Sequence, residues 1–374
     1  MEIHRRMFVA AGLAASALTS TPALAMKKRR LVINALGGLG NPNRGEWSEE
    51  EIAAHRLDPR PIADARAAGV AATNLTLGYV FGEDDPFVST IEDIAWWDEA
   101  IRFRPDALMK IRDAADISAA HEKGLAGVIY GFQSSDMFAG DPARARIFAD
   151  LGVRICQLTY NLRSAAGDGA LVAENKGLTE FGRALVAALN REKLLVDLSH
   201  GGEKTTTDAI AASTAPIAIT HAGCASLAPH PRNKTDAELK ALADKGGVMG
   251  VYFMPYLSPG RQHMAADILA HIEHAVNVCG EDHVGIGTDG GVTAIDNMPA
   301  YLEEHRKDVE NRKRLGVGAP NEDPDIILVP PDLMGPTQFE RLAGLLSARG
   351  WKEARIEKIL GGNFLRLFGE VWGV

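Results

Sequence analysis

Two histidines directly follow two consecutive apolar runs of the chain. His200 comes after the run 194–198, and His221 comes after the run 217–220. If these runs are neighbouring parallel strands, both imidazoles lie at the same edge of the sheet, within reach of one ion. Imidazole is the commonest metal ligand in proteins and a frequent ligand of zinc. The spacing therefore predicts a shared metal site on His200 and His221, although a single histidine at a strand end is more often a simple hydrogen-bonding residue.

Three further polar residues, Gln133, Tyr160 and Asp289, also follow apolar runs. Asp289 ends the last run, where a carboxylate can accept a proton from an activated water. The alternative is an aspartate that forms a turn before Gly290. We expect Asp289 to act in proton transfer, and Gln133 and Tyr160 are further candidates for the same site.

The loop after His221 contains His230 and Arg232. The planar fork of a guanidinium offers two parallel hydrogen bonds to a carboxylate. We therefore expect Arg232, with His230 beside it, to bind a small-molecule substrate that carries a free carboxylate. The alternative is an arginine that braces its own loop.

The elements that position these residues are short apolar runs alternating with longer segments of helical period. Most of the runs are continuous, as in strands covered on both faces, which predicts a parallel sheet. Eight or nine such β/α units in about 260 residues, without a glycine-rich phosphate-binding motif, favour an α/β fold of the (β/α)8 or TIM-barrel type. The predicted strands are 31–36, 71–77, 108–111, 126–133, 155–158, 194–197, 217–220, 247–252 and 284–287.

The predicted helices include 91–102, 179–191, 236–245 and 264–278, and Thr235 with Glu238 forms a capping box before the third. The segment 294–332 is rich in proline and charge with little periodicity, which predicts a long loop over one end of the barrel. His271 and His274 form a polar stripe with Asp267, typical of a helix surface. We find no linker, so residues 26–374 are expected to form one domain.

Composition excludes some partners. The 374 residues carry a formal net charge of −9, so no basic face is expected for nucleic acid. The three cysteines are predicted to be free: Cys156 and Cys279 as core residues, and Cys224 as a core residue or a residue lining the site.

Residues 1–25 have the pattern of an export signal. Arg5 and Arg6 precede an apolar run of about twelve residues, too short to span a bilayer, and Ala23 to Ala25 form a small-residue cleavage site. The adjacent arginines are typical of a twin-arginine signal. We expect cleavage after Ala25 and a periplasmic protein with no membrane span; the sequence leaves open whether it forms a homodimer.

Six motifs in order resemble the renal or membrane dipeptidases, peptidase family M19, over nearly all of residues 31–368. They are 177–182, 195–200, 215–221, 230–233, 283–289 and 362–366. The resemblance implies a metallo-dependent hydrolase barrel that cleaves dipeptides with two zinc ions. It places the second zinc on His200 and His221, the substrate carboxylate on Arg232, and proton transfer on Asp289.

The departures from this family fall on the metal ligands. The family's His-x-Asp at the end of the first strand is missing from 34–40, and Gln133 stands in place of the glutamate that bridges the two zinc ions. A neutral amide cannot offset the repulsion between two dications. Tyr160 falls where the family has a further histidine that contacts the substrate.

Three interpretations remain. The first is a hydrolase of dipeptide-like or N-acyl amino acid amide bonds, with one zinc ion per chain on His200 and His221 completed by Asp289, Gln133 or water. The second is a non-hydrolytic acid/base enzyme, an isomerase or lyase that tailors natural products, using Tyr160, His200 and Asp289. The third is a non-catalytic ligand-binding homologue.

Overall fold

The computed structural model of the protein describes residues 29–45 and 48–373. Its centre is a parallel sheet in which eight strands follow one another in the order β1-β2-β4-β5-β6-β7-β8-β9, while the short β3 pairs with β4 beside this path. The predicted (β/α)8 barrel is confirmed. The strands are β1 Val32–Asn34, β2 Val70–Thr76, β3 Leu108–Lys110, β4 Ala126–Phe132, β5 Val153–Gln157, β6 Leu195–Asp197, β7 Ala218–Ala222, β8 Val248–Val251 and β9 Val284–Ile286.

The barrel closes where the first and last strands meet. The amide of Ala35 donates to the carbonyl of Ile286 at 3.1 Å, and the amide of Asp289 donates to the carbonyl of Leu36 at 3.0 Å. Gly287 lets β9 approach β7 closely, because a Cβ there would lie 1.9 Å from the carbonyl oxygen of Thr220. Closure brings the carboxyl ends of all the barrel strands to one rim.

Helices follow most strands and cover the outside of the barrel. Several begin at side-chain caps that satisfy free backbone N–H groups, such as Asp85, Asp113 and Thr179, and the capping box of Thr235 and Glu238 is present as predicted. The helices are α1 Glu49–Ala53, α2 Pro59–Ala67, α3 Pro86–Phe103, α4 Ala114–Lys123, α5 Arg144–Asp150, α6 Glu180–Arg191, α7 Glu203–Ala212, α8 Asp236–Asp244, α9 Ala265–Cys279, α10 Met298–Arg314, α11 Gln338–Ala348, α12 Glu353–Glu357 and α13 Asn363–Trp372.

The prediction of a long loop over 294–332 is wrong in its first half. Residues Met298–Arg314 form α10. Asn297 caps this helix, because its side chain accepts from the amide of Ala300 at 3.2 Å. His305 is its one buried residue. A helix that buries so little shows no apolar periodicity, and charged pairs such as Lys307 with Glu303 support it instead.

The prediction that His271 lies on the surface is also wrong. Its side chain is buried, its Nδ1 accepts from the amide of Cys224 at 2.9 Å, and its Nε2 lies 3.1 Å from the carbonyl of Leu257. His274 is partly exposed and pairs with Asp236. The polar stripe of α9 therefore includes a core histidine that is fully hydrogen-bonded.

All three cysteines are free and buried, as predicted. Cys224 packs in the hydrophobic core and is not among the residues that line the candidate site. Within 29–45 and 48–373, no helix combines the length and hydropathy needed to cross a bilayer. The predicted export signal at 1–25 lies outside the described residues.

Candidate functional site

A cavity of about 190 Å³ opens at the rim formed by the carboxyl ends of the strands. We call it the main cavity. Five of the predicted site residues line it: Gln133, Tyr160, His200, Arg232 and Asp289. They come from different strand ends, so the barrel brings together residues that are up to 156 positions apart in the sequence.

His200 and His221 form a buried pair at this rim. Their Nε2 atoms lie 3.0 Å apart. The Nδ1 of His200 donates to Oδ1 of Asn161 at 2.6 Å, since an amide oxygen can only accept, and Nδ1 of His221 contacts the Thr220 hydroxyl at 2.9 Å. Burial, together with the nearby Arg232 cation, holds the pKa of both rings well below the usual range. Both imidazoles are therefore neutral near neutral pH.

Asp197, which sequence reasoning missed, holds the two histidine-bearing strand ends together. Its carboxylate accepts from the hydroxyls of Ser199 at 2.5 Å and Thr220 at 2.7 Å, and from the amides of the same two residues at 3.1 and 2.9 Å. Burial raises the pKa of Asp197, and these hydrogen bonds oppose the shift. The only signal in the sequence was a carboxylate at the end of an apolar run.

The donor set does not fit the family's metal pair. The side chain of Asn34 is already hydrogen-bonded within the barrel. Its amide nitrogen donates to Thr288 Oγ1 at 2.8 Å, and its Oδ1 accepts from the amide of Thr288 at 2.8 Å. Gln133 supplies a neutral amide. Among the described residues, no group of three or more histidine, cysteine, aspartate or glutamate side chains could hold a metal ion. Catalytic zinc sites use three protein ligands, and His200 with His221 supply two.

Arg232 has one terminal guanidinium nitrogen without a hydrogen-bond partner among the described residues. The side chain is 2% exposed and its Nη1 donates to the carbonyl oxygen of Ser199, while its Nη2 has no hydrogen-bond partner among the described residues. A buried donor without a partner is costly unless a ligand or water accepts from it. Arg232 therefore suits an anionic group that enters the main cavity.

Asp289 is strained and its pKa is shifted. Its φ of 57° lies in the left-handed region, which residues other than glycine seldom adopt and which often marks functional sites. Burial raises the pKa of Asp289 to about 6, although Arg232 and Arg312 oppose the shift. Its carboxylate thus changes charge near neutral pH, as a general base should.

His230 lies outside the lining of the main cavity. Its Nδ1 accepts from the amide of Arg232 at 3.2 Å, its Nε2 contacts the carbonyl of Pro320 at 2.9 Å, and its ring stacks on Tyr256 at 4.4 Å. Both ring nitrogens are used within the protein, so the structure places His230 as a brace for the loop that carries Arg232.

Tyr160 contacts a residue that sequence reasoning missed. Its ring stacks on His200 at 4.3 Å, and its hydroxyl accepts from Nη1 of Arg312 at 3.1 Å. Arg312 is held in turn by Glu322, with Nη2 to Oε1 at 2.9 Å. Arg312 and Glu322 both lie in the segment predicted as a loop. Nothing in the sequence distinguishes Arg312 from the other cations of α10.

A closed parallel barrel with its polar side chains gathered at the carboxyl-end rim is the architecture of (β/α)8 enzymes. The family model for membrane dipeptidase, peptidase family M19, matches residues 65–311. The chain therefore belongs to the membrane dipeptidase family, a family of dipeptidase-type metallopeptidases.

Individual relatives agree with this assignment. A structure described as an amidohydrolase from Pseudomonas aeruginosa is 32% identical, with 92% of this chain and 97% of that chain covered and a TM-score of 0.77. An uncharacterized protein encoded in the pqqA 5' region of Klebsiella pneumoniae is 27% identical over 305 residues, 77% of this chain and 98% of that protein. The dipeptidase tcpJ of Claviceps purpurea is 27% identical over 286 residues, 75% of this chain and 60% of that protein.

Proposed function

We propose that the chain hydrolyses the amide bond of a small substrate with a free carboxylate, of the dipeptide or N-acyl amino acid type. The observation that carries this proposal is the unpartnered Nη2 of buried Arg232, which lines the same cavity as Asp289 and His200. Family membership supports the reaction class, and the free guanidinium donor supports the carboxylate.

Amide hydrolysis needs a proton taken from water and a proton delivered to the leaving nitrogen. In the proposed mechanism, Arg232 binds the carboxylate and fixes the scissile bond. Asp289, with its pKa near 6, takes the proton from water and then passes it to the leaving amine. The Tyr160 hydroxyl accepts from Arg312 and donates its own proton to the oxygen that becomes negative in the transition state.

The single zinc ion that the sequence predicts is a separate part of this proposal. It would rest on His200 and His221, which are two ligands where catalytic zinc uses three. The proposed mechanism therefore uses only side chains of this chain. Elemental analysis of residues 26–374, beside a His200→Ala, His221→Ala double variant, measures the metal directly. About one zinc per chain that the variant loses would support the single-metal form.

A second candidate is a non-hydrolytic acid/base reaction, an isomerisation or elimination. The contact between Tyr160 and Arg312 favours it, because a phenol held by a cation beside a titratable carboxylate can move protons without a metal. Here the products would have the mass of the substrate, or of the substrate less a leaving group, with no added water.

The proposal is tested with a panel of dipeptides and N-acyl amino acids, each paired with its C-terminal carboxamide. We expect kcat/KM to fall roughly 10- to 100-fold when the carboxylate is capped, because a charge-assisted hydrogen bond is lost. Arg232→Met should abolish that preference, while Arg146→Met, which changes an exposed arginine on α5, should keep it. Equal rates for free and capped substrates would contradict the role of Arg232, and no water added to any substrate would favour the second candidate.

A further inference from the structure

A second cavity of about 390 Å³ adjoins the main cavity. We call it the side cavity. It lies where β2 ends and α3 begins, and Gln133 and Tyr160 line both cavities. These two residues therefore lie between the two spaces. The remaining lining residues are Gly78, Tyr79, Val80, Phe81, Asp84, Ser89 and Asp93.

The charged residues that line the side cavity are both acidic, Asp84 and Asp93. Neither forms an ion pair with any part of the chain that the structure describes, although Asp93 Oδ2 accepts from the amide of Gly78 at 2.7 Å. Burial raises the pKa of Asp93 above its usual range, a shift that a cationic group bound beside it would oppose. The side cavity therefore favours positive charge, whereas Arg232 in the main cavity favours negative charge.

Gln133 lies between the two cavities, since it lines both. Its side chain is 9% exposed, and within residues 29–45 and 48–373 its amide group has no hydrogen-bond partner. Its main chain is fixed, because its carbonyl accepts from Nε2 of Gln157 at 2.5 Å. An amide that lines both cavities with unused donors and acceptors matches a ligand group with the same pattern, and an amide bond is such a group.

The wall of the side cavity also suits an alkyl chain. Phe81 packs on Tyr160 with their ring centroids 5.6 Å apart. Long basic side chains bury their methylene groups on apolar surface while the charged end reaches a polar partner. An aromatic wall with carboxylates beyond it offers both surfaces.

We propose that the side cavity is a subsite for a cationic side chain, and that the substrate is a dipeptide-like amide with a lysine- or arginine-like residue on its amino side. This inference rests on the proposed function for the carboxylate at Arg232 and the amide bond beside Gln133. It adds the residue that selects the substrate, Asp84, which lines the side cavity and has an exposed side chain.

The test compares Lys-Ala with norleucyl-Ala, which has the same carbon chain and no ammonium group. We expect kcat/KM to be about 2- to 5-fold higher for Lys-Ala in the unmodified protein, as for an exposed ion pair, and Asp84→Asn to move this ratio toward 1. Glu83→Gln is the matched control, since it removes the same charge from the neighbouring position outside the cavity lining and should keep the ratio. A ratio near 1 in the unmodified protein would overturn the subsite while leaving hydrolysis intact.

A binding measurement separates the two proposals. Lysine amide carries the cation but no carboxylate, so calorimetric titration with lysine amide and norleucine amide reports on the side cavity independently of Arg232 and of hydrolysis. Binding of lysine amide that Asp84→Asn weakens about 2- to 5-fold, in a protein that hydrolyses no peptide, would uphold the subsite and reject the hydrolase. Equal binding of the two amides would reject the subsite.

Discussion

Arg312 donates a hydrogen bond to Tyr160 across 152 positions of the sequence, with 3.1 Å between the guanidinium nitrogen and the phenol oxygen. The contact joins α10 to the end of the fifth strand and places a second cation in the main cavity. Because Glu322 pairs with the same guanidinium, the arginine is fixed before any ligand arrives. Such fixed donors are what stabilise developing negative charge without reorganisation.

Arg312→Met should lower kcat/KM about 10- to 100-fold, mainly through kcat, because Tyr160 loses the donor that orients its hydroxyl. Arg306→Met, on the same helix but exposed and paired with Asp325, is the matched control and should change little. Kinetics on the preferred substrate check this. Unchanged kcat in Arg312→Met would show that the contact only holds α10 in place.

The pH dependence of hydrolysis should follow Asp289. A general base acts when ionised, so kcat/KM should fall about tenfold per pH unit below 6 and level off above it. Asp289→Asn should lose about 100- to 10,000-fold in rate and the acidic limb with it. A rate profile that is flat from pH 5 to 8 in the unmodified protein would contradict this assignment.

The same carboxylate should cost stability. Burial raises the pKa of Asp289 to about 6, so the folded protein binds a proton more tightly than the unfolded chain between pH 4 and 6. Stability contributed by this group is therefore highest below the unfolded pKa and is lost as pH rises through about 6. Asp289→Asn, which tolerates the left-handed φ, should raise the free energy of unfolding at pH 8 by on the order of 1–3 kcal/mol and leave it nearly unchanged at pH 4. Denaturant titrations at the two pH values measure the difference, and equal effects at both would count against the shift.

Asp197 should be important for folding. Asp197→Ala leaves the hydroxyls of Ser199 and Thr220 and their amides without an acceptor in a buried place, which should destabilise the protein by about 2–5 kcal/mol. Asp150→Ala on the exposed end of α5 is the control and should change stability by less than about 0.5 kcal/mol. Chemical denaturation of the two variants compares them. A small effect for Asp197→Ala would mean that water replaces the carboxylate.

We propose that the protein is exported to the periplasm and cleaved after Ala25. Twin-arginine signals depend on the paired arginines, so Arg5→Lys with Arg6→Lys should leave the full-length chain in the cytoplasm. Cell fractionation with mass spectrometry of the amino terminus tests both statements. A periplasmic protein from the double variant would point to another export route.

The sequence predicted best those site residues that lie at strand ends or in the loops directly after them. His200, Arg232 and Asp289 follow apolar runs or the loops after them, and a barrel brings such positions to one rim whatever their sequence separation. His230 was placed with them by proximity in the chain. Both of its ring nitrogens form contacts within the protein. One of these contacts is with Pro320, 90 positions away, so the sequence around His230 does not predict it.

The rest of the site depends on a helix that has no apolar pattern. α10 is polar on nearly every side. Hydrophobic periodicity therefore predicts neither this helix nor that Arg312 lines the main cavity. The sequence does not predict the side cavity for a similar reason. Asp84 lies in a loop, and only the fold brings it to the same cavity as Gln133 and Tyr160.

Asn34 joins the first strand to the loop after the last one through Thr288, in the stretch where the resemblance expects a histidine and an aspartate. Replacing Asn34 with a metal ligand would remove two hydrogen bonds that close the barrel, while Gln133 would still lack the charge to hold an ion. Asn34 therefore acts as a structural link in the closed barrel, and a metal ligand at this position is expected to lower stability without creating a metal site.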